Sequence, residues 1–353
     1  MQRLTHRDLY RIYLSWPEKI LEGLEQELEN CPGDVGEVEV RSVVIAGIGG
    51  SGAPGKILEA INMFRSNPPY IWGVSGVYID PRVAIGESVS ICVSYSGTTL
   101  ETLRILEKFV RSGVRVGVVT SGGEMLRIAE RRSLPLYRLK PGSLPRLELP
   151  AMMAGISKIS RCLGTYLGIE PELREASSIL SRDRSYIEGF GKELAEKIAG
   201  AYIAGKRVAI ASTQPYYPLI HRFRSELSEN ASLPSEPIEL PEMGHNQVAS
   251  LRSGRGALVI HIVDMERGED LAALGYFRRL SEIHPEIEVI DISPPQGASY
   301  IAKALYIAMI IGIASSALGI DRGLDPVNIS EIRLFREVMY SYYSSERWDQ
   351  NIL

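Results

Sequence analysis

Two turns in this sequence carry residues able to hold an anion. The first, Gly47-Ile48-Gly49-Gly50-Ser51-Gly52, follows the β-branched run VEVRSVVIA and opens onto a helical pattern from about Ala53. Glycine lets a backbone approach a ligand closely, and the free N–H groups and dipole of a helix start favour negative charge there. The second, Ser94-Tyr95-Ser96-Gly97-Thr98-Thr99, leads into LETLRILEKFV and offers four hydroxyls. A capping box, Thr98-x-x-Glu101, would use one hydroxyl and add about 1 kcal/mol to the helix. Ser94, Ser96, Thr98 and Thr99 together with Ser51 make more than a cap: they form a neutral nest suited to a phosphate monoester. Gly47, Gly49 and Gly52 also spell G-x-G-x-x-G, but a dinucleotide site requires an acidic residue about 20 positions on. The next aspartate is Asp80, beside Pro81 and poorly placed for that role.

GIGGSG followed by SYSGTTLET resembles the sugar isomerase (SIS) domain. The resemblance implies that Ser51, Ser94, Ser96 and Thr99 grip a sugar's 6-phosphate, with the Gly49 and Gly50 backbone against the substrate. SIS modules also serve as non-catalytic sugar-phosphate sensors in regulators, so catalysis requires its own residues.

Moving a hydrogen between adjacent sugar carbons needs a base beside C1 and C2, a group that opens the ring, and a positive charge for the enediolate. Of five histidines, His6 lies in an N-terminal helical leader, and His221, His261 and His284 lie in a helix, a strand and a helix end. His245 alone follows a turn, Pro241-Glu242-Met243-Gly244, and loops carry chemistry more often than packed elements do. Glu226 and Glu229, near the end of one helical pattern, are both candidate bases, and periodicity does not choose between them.

The stretch FRSELSENASLPSEPIELPEMGHNQV resembles the corresponding segment of the bifunctional phosphoglucose/phosphomannose isomerases. That resemblance extends from the first sheet strand to the Asp325-Pro326 helix. It implies that Glu229 is the proton-shuttling base and His245 the ring-opening group, and it leaves Glu226 a supporting or surface role. Pro145-Arg146 matches the family's P-R element, which implies that Arg146 clamps the enediolate. The family's terminal D-P...L-K element carries a lysine, whereas the aligned pair here is Phe335-Arg336. Arg336 keeps the charge but is a poor proton donor, since its pKa exceeds about 12, so ring opening rests more on His245. No cofactor and no metal are implied. The partners implied are a hexose 6-phosphate and a second copy in a homodimer with shared active sites. An amino-sugar isomerase would need a glutaminase domain, for which this length has no room, or a free amine source, and a metal-dependent cupin fits neither the element order nor the absence of a His cluster.

The elements that must position these groups read as α/β. Strand-like runs (VEVRSVVIAGIG, ESVSICVSYS, RVGVVTS, LPLYRLK) alternate with helical patterns, then RVAIAS, GALVIHIVD and IEVIDIS repeat the alternation after a helical stretch. That order predicts two doubly wound SIS-type domains with mainly parallel sheets flanked by helices. The boundaries expected are a helical leader at 1–35, a first domain with the phosphate motifs at 36–160, a second at 161–324, and a C-terminal helix at 325–353 packing back on the active site. The Gly-rich turn is not repeated in the second half, where Ser212-Thr213-Gln214-Pro215 follows the opening strand.

Composition narrows the classes further. A net charge of −4 without a dense Lys/Arg run speaks against nucleic acid. Cys31, Cys92 and Cys162 have no metal-ligand spacing and read as reduced cytosolic thiols. The N-terminal MQRLTHRDLYRIYL lacks a signal peptide's apolar core. Residues Ala304 to Ile320 are uncharged but bounded by Lys303 and Asp321 and diluted by serine and glycine, so they read as a core helix, not a membrane span. The expectation is a cytoplasmic isomerase, with a non-catalytic sugar-phosphate binding protein as the alternative.

Overall fold

The computed structural model describes residues 4–31, 40–66, 69–76, 87–327 and 329–344. Asp80, weighed above as a ribose ligand, lies outside the described residues.

The leader forms two helices where the sequence pattern suggested one: α1 (His6–Leu14) and α2 (Trp16–Glu25). Thr5 and Asp8 close a capping box on α1, and Pro17 in the first turn of α2 cannot continue the preceding helix, so the chain breaks at Ser15. Tyr13 and Trp16 flank the break, fully buried.

The first sheet holds β1 (Ser42–Ala46), β2 (Tyr70–Val74), β3 (Ser88–Ser94), β4 (Arg115–Thr120) and β5 (Leu136–Arg138). Its order is β2-β1-β3-β4-β5 with every pairing parallel. Helices α3 (Ala53–Asn62), α4 (Leu100–Ser112), α5 (Gly123–Arg131) and α6 (Leu149–Cys162) flank it. β3 is buried at every position, as a central parallel strand covered on both faces must be.

After α7 (Ile169–Arg182) and α8 (Arg184–Ile203) comes the second sheet: β6 (Arg207–Ser212), β7 (Glu236–Glu239), β8 (Ala257–Ile262) and β9 (Ile287–Ile292), in the order β7-β6-β8-β9, again all parallel. Its helices are α9 (Tyr217–Ala231), α10 (Gly268–Ile283) and α11 (Tyr300–Arg322), and α12 (Ser330–Ser344) follows. The doubly wound α/β expectation holds. Two strands escaped the sequence reading: β2, whose Tyr70 and Trp72 face solvent, and the four-residue β7, which contains Pro237.

α11 is apolar on all sides, and such a helix must be enclosed. It packs against α1, α7, α8 and α9, and its most apolar stretch is 94% buried, as a core helix should be. The largest apolar cluster runs through it and draws residues from both sheets.

One expectation is overturned. Cys31 and Cys162 do not stand as free thiols: they form a disulfide, with Cα atoms 5.8 Å apart across 131 residues of sequence. The antiparallel bridge of Glu29 to Leu136 brings the end of the leader beside the first sheet, within reach of the last residue of α6. Spacing in sequence carries no signal for a closure of that length. Cys92 remains free and buried. Thiol titration of the denatured, unreduced protein should therefore find one reactive thiol instead of three. Reduction should lower stability by about 2–4 kcal/mol in a denaturant titration, and Cys162→Ser should abolish that sensitivity.

Candidate active site

The crevice between β1 and β3 is the point where the first sheet's strand order reverses, the usual ligand position in an open parallel sheet. Both anion-binding turns lie at its rim. The first is folded tightly on itself. A Cβ on Gly52 would stand 2.5 Å from the Gly47 carbonyl oxygen, and one on Gly47 would stand 2.8 Å from that of Val93. Ser51 is buried, and its Oγ accepts from the Tyr95 N–H at 3.0 Å, which ties the first turn to the second.

In the second turn Ser94 Oγ accepts from Gly97 N–H at 3.2 Å and donates to Thr99 Oγ1 at 3.1 Å. Ser96 Oγ accepts from Thr98 N–H at 3.3 Å and from Thr98 Oγ1 at 3.1 Å. Gly97 has φ +64°, and a side chain there would collide with the Gly122 carbonyl. The capping-box alternative is not realised: the N-cap of α4 is Thr99, not Thr98, and it makes no side-chain cap bond. The first N–H groups of α4 thus stay available to a ligand, with four hydroxyls beside them.

Arg146 stands against this cradle. Its backbone forms a short 3-10 turn, Pro145–Leu147, laid on Gly50, where a Cβ would meet Arg146 N at 2.8 Å. The guanidinium is buried and spends all three nitrogens: Nε on Asn230 Oδ1 at 2.9 Å, Nη1 on Glu229 Oε2 at 2.7 Å, and Nη2 on the Pro326 carbonyl at 2.8 Å. Glu226, Glu229 and Asn230 follow i, i+3, i+4 spacing near the end of α9, so one helix face presents all of them. Glu229 keeps 28% of its side chain exposed and lines a groove of about 400 Å³ with Ser228, Leu233, Ser235 and Ile332. A carboxylate held at one oxygen and open to a groove of that size can exchange protons with a bound small molecule.

Glu226 is not a surface carboxylate. It is 1% exposed, accepts from Tyr13 OH at 2.8 Å, and lies 2.5 Å from Arg222 Nη2. Burial pushes its carboxyl above the ordinary range, with Arg222, Tyr13 and Arg146 pulling it back. His6, set aside as a leader residue, is likewise buried, with Nε2 2.7 Å from the Asn230 carbonyl oxygen. Burial holds its pKa below the usual histidine value. Asn230, Tyr13, Arg222 and His6 were not picked out by the sequence. The one available signal was the i, i+4 spacing of Arg222 and Glu226 on α9.

His245 is not brought to Glu229 within one chain. It ends the 3-10 turn Glu242–His245, which follows the C-terminal end of β7, and is exposed. Tyr217, at the start of α9, donates its hydroxyl to the Leu240 carbonyl, and His221 contacts Glu239. Glu229 lies twelve residues further along α9, about 18 Å at 1.5 Å per residue. The two groups therefore sit near opposite ends of the strands β6 and β7. Arg336 is exposed, one turn beyond Ile332 on α12. The C-terminal helix touches the groove through Ile332 and leaves Leu334, Phe335 and Val338 largely in solvent.

A hydroxyl-lined turn at the switch point of a parallel sheet, with buried Arg146 paired to half-open Glu229 beside it, is an arrangement with which the likeness to known proteins agrees. Residues 191–339 match the family described as the bacterial phospho-glucose isomerase C-terminal SIS domain. A bifunctional phosphoglucose/phosphomannose isomerase of Aeropyrum pernix is 30% identical over 323 residues, covering 89% of this chain and 93% of the relative. The chain belongs to the bifunctional phosphoglucose/phosphomannose isomerase family. A D-glucosamine-6-phosphate 4-epimerase of Sulfolobus acidocaldarius is 27% identical over 71% of this chain and 76% of its own length. Among solved structures, a Clostridium difficile 630 protein described as a phosphosugar isomerase superposes with a TM-score of 0.69 at 12% identity, over 94% of this chain and 98% of that one, which shows the shared fold.

Because Gly50 seats Arg146, Gly50→Ala should force the two backbones apart. Steady-state kinetics should show at least a ten-fold loss of kcat/KM, with a stability loss of about 1–3 kcal/mol as in other over-packed sites. Unchanged kinetics would separate Arg146 from the cradle.

Proposed function

We propose that the protein interconverts glucose 6-phosphate and mannose 6-phosphate with fructose 6-phosphate through a cis-enediol. The observation that carries this reading is the 2.7 Å pair of Arg146 and Glu229 beside the Gly49-Gly50-Ser51 turn. A sugar-phosphate sensor needs the hydroxyl nest alone, whereas a buried guanidinium aimed at a half-open carboxylate is acid/base equipment.

In this account Ser51, Ser94, Ser96, Thr99 and the start of α4 hold the 6-phosphate, and the sugar crosses the Gly49-Gly50 backbone toward α9. Glu229 removes the C2 proton of the open-chain aldose, and the C–H electron pair becomes the C1–C2 double bond as O1 takes the negative charge beside Arg146. Return of the proton to C1, with the O2 proton passed to O1, gives the C2 ketone and restores the neutral O1 hydroxyl. The intermediate is planar at C2 and keeps no memory of its configuration. Both epimeric aldoses enter through one base once the open-chain intermediate turns about C2–C3, so that either face of C2 meets Glu229. Residues 36–160 hold the phosphate in this scheme, and residues 161–324 carry the base.

Ring opening falls to His245 of the partner subunit, with Arg336 as a further cation at the groove's rim. This reading of a homodimer with shared sites draws support from the separation of His245 and Glu229 within one chain, and from the exposed apolar side chains of α12 beside the groove. We place the enzyme in the cytoplasm, acting without metal or cofactor.

Coupled assays with glucose 6-phosphate and mannose 6-phosphate, run in excess chelator, should show turnover of both. Glu229→Gln should lower both rates together by about 10²–10⁴-fold, the usual contribution of a general base. Turnover of glucosamine 6-phosphate alone would move the reading to the epimerase. Mixing Glu229→Gln and His245→Ala proteins after dissociation and reassociation should restore about a quarter of wild-type activity, since half the dimers are mixed and each mixed dimer has one intact site. No recovery would place both residues in one chain's site or remove His245 from it.

A further inference from the structure

The buried face of Arg146 continues into a closed circuit of polar contacts that the proposed proton transfer does not use. Arg146 Nε donates to Asn230 Oδ1, and Asn230 Nδ2 donates to Ser315 Oγ at 2.9 Å. Ser315 Oγ lies 3.2 Å from Glu226 Oε2. Arg222 Nη2 stands 2.5 Å from Glu226 Oε1, a close ion pair, and donates to the Arg146 carbonyl at 2.6 Å, which returns the circuit to its start. Arg146, Arg222, Glu226, Asn230 and Ser315 are each at most 5% exposed, so water does not stabilise any gap in it. With Glu229 the set holds two guanidinium groups against two carboxylates, a balanced arrangement in a site where an uncompensated charge is costly.

The leader closes this circuit from outside the sheets. Tyr13 OH donates to Glu226 Oε2 at 2.8 Å, His6 Nε2 lies against the Asn230 carbonyl, and Trp16 Nε1 donates to the Leu147 carbonyl at 3.0 Å beside Arg146. The Tyr13 ring occupies space that Gly312 of α11 leaves free: a Cβ there would stand 2.2 Å from the ring. A helix packed only to cover core would not need its polar atoms aimed at the two residues that flank Glu229 and at the turn that carries Arg146.

We propose that Tyr13 and Glu226 are positioning residues of the isomerisation, through which the N-terminal leader fixes the Arg146 guanidinium and, with it, the Glu229 carboxylate. The inference rests on the isomerase reading above. Tyr13 is fully buried and does not line the groove, and Glu226 is tied to Arg146 by contacts through Arg222 and through Ser315 and Asn230, beside the direct attraction of the two charges. The side chains that face Glu226 are Arg222 and Glu229 of α9, Tyr13 of α1, Ser315 of α11, and Arg146.

Tyr13→Phe in the full-length protein removes one hydroxyl and keeps the ring in its seat. It is the primary variant because Glu226→Gln also strands the buried Arg222. For Tyr13→Phe we expect a native-like melt, a loss in kcat of roughly 3- to 30-fold, inside the range of coupling between contacting residues, and a KM for fructose 6-phosphate within about two-fold, since the cradle is untouched. Glu226→Gln should lose more kcat with the same constant KM. In an Arg146→Lys background the Tyr13→Phe penalty should shrink to under about two-fold, because the hydroxyl acts through the guanidinium. A folded Tyr13→Phe enzyme with wild-type kcat, or one whose penalty is equal in both backgrounds, overturns the inference. A wild-type enzyme inactive on both sugars overturns the isomerase reading and this inference together.

Discussion

A guanidinium taken out of water must find acceptors for its donors, and Arg146 finds them on two separate parts of the chain. Its backbone belongs to the first sheet's side of the molecule, its Nε and Nη1 bind the end of α9 beside the second sheet, and its Nη2 binds Pro326 after α11. This one side chain therefore sets the distance between the phosphate cradle and the carboxylate. Glu229 cannot move relative to Ser51 without breaking a charge-assisted bond in a buried site. The same geometry puts a positive charge where an enediolate oxygen would develop.

The two sheets show how one architecture can hold one site. At the first switch point the turn is lined by hydroxyls and by the uncapped start of α4. At the second, between β6 and β8, the crevice is filled by its own ions. Lys303 lies 2.8 Å from Asp264 and 2.5 Å from Glu266, Tyr216 OH donates to Asp264 at 2.7 Å, and Thr213 and Arg267 bind Asp270 at 3.0 and 2.9 Å. Lys303, Asp264 and Asp270 are nearly or wholly buried. With Lys303 and Arg267 already paired to carboxylates there, the second unit contributes α9 and Glu229 where the first contributes the nest.

The sequence was most informative where local chemistry and local structure coincide. Gly47 to Gly52 and Ser94 to Thr99 each join a strand to a helix, so their residue types announce both the turn and the anion. The parallel α/β order followed from buried β-branched runs such as SVSICVS. β7 was missed because a four-residue edge strand containing Pro237 has no period to detect, and β2 because its exposed aromatic positions do not read as core. Cys31 with Cys162, and Tyr13 with Glu226, are contacts across 131 and 213 residues, and nothing local records them. The helical leader divides into α1 and α2 at Pro17, a break that only the proline itself signals in the sequence. His245 was legible as a loop residue, but its distance from Glu229 became apparent only when β7 and α9 were laid out in space.

The central claim is that Arg146 holds a proton-transferring carboxylate at a fixed reach from a phosphate nest, and a crystal structure with fructose 6-phosphate bound tests it most directly. The account requires the phosphate on Ser51, Ser94, Ser96, Thr99 and the first N–H groups of α4, with C1 and C2 within about 3–3.5 Å of a Glu229 oxygen. A phosphate seated in the groove between α9 and α12 instead, or a sugar whose C1 and C2 lie out of reach of Glu229, would contradict it.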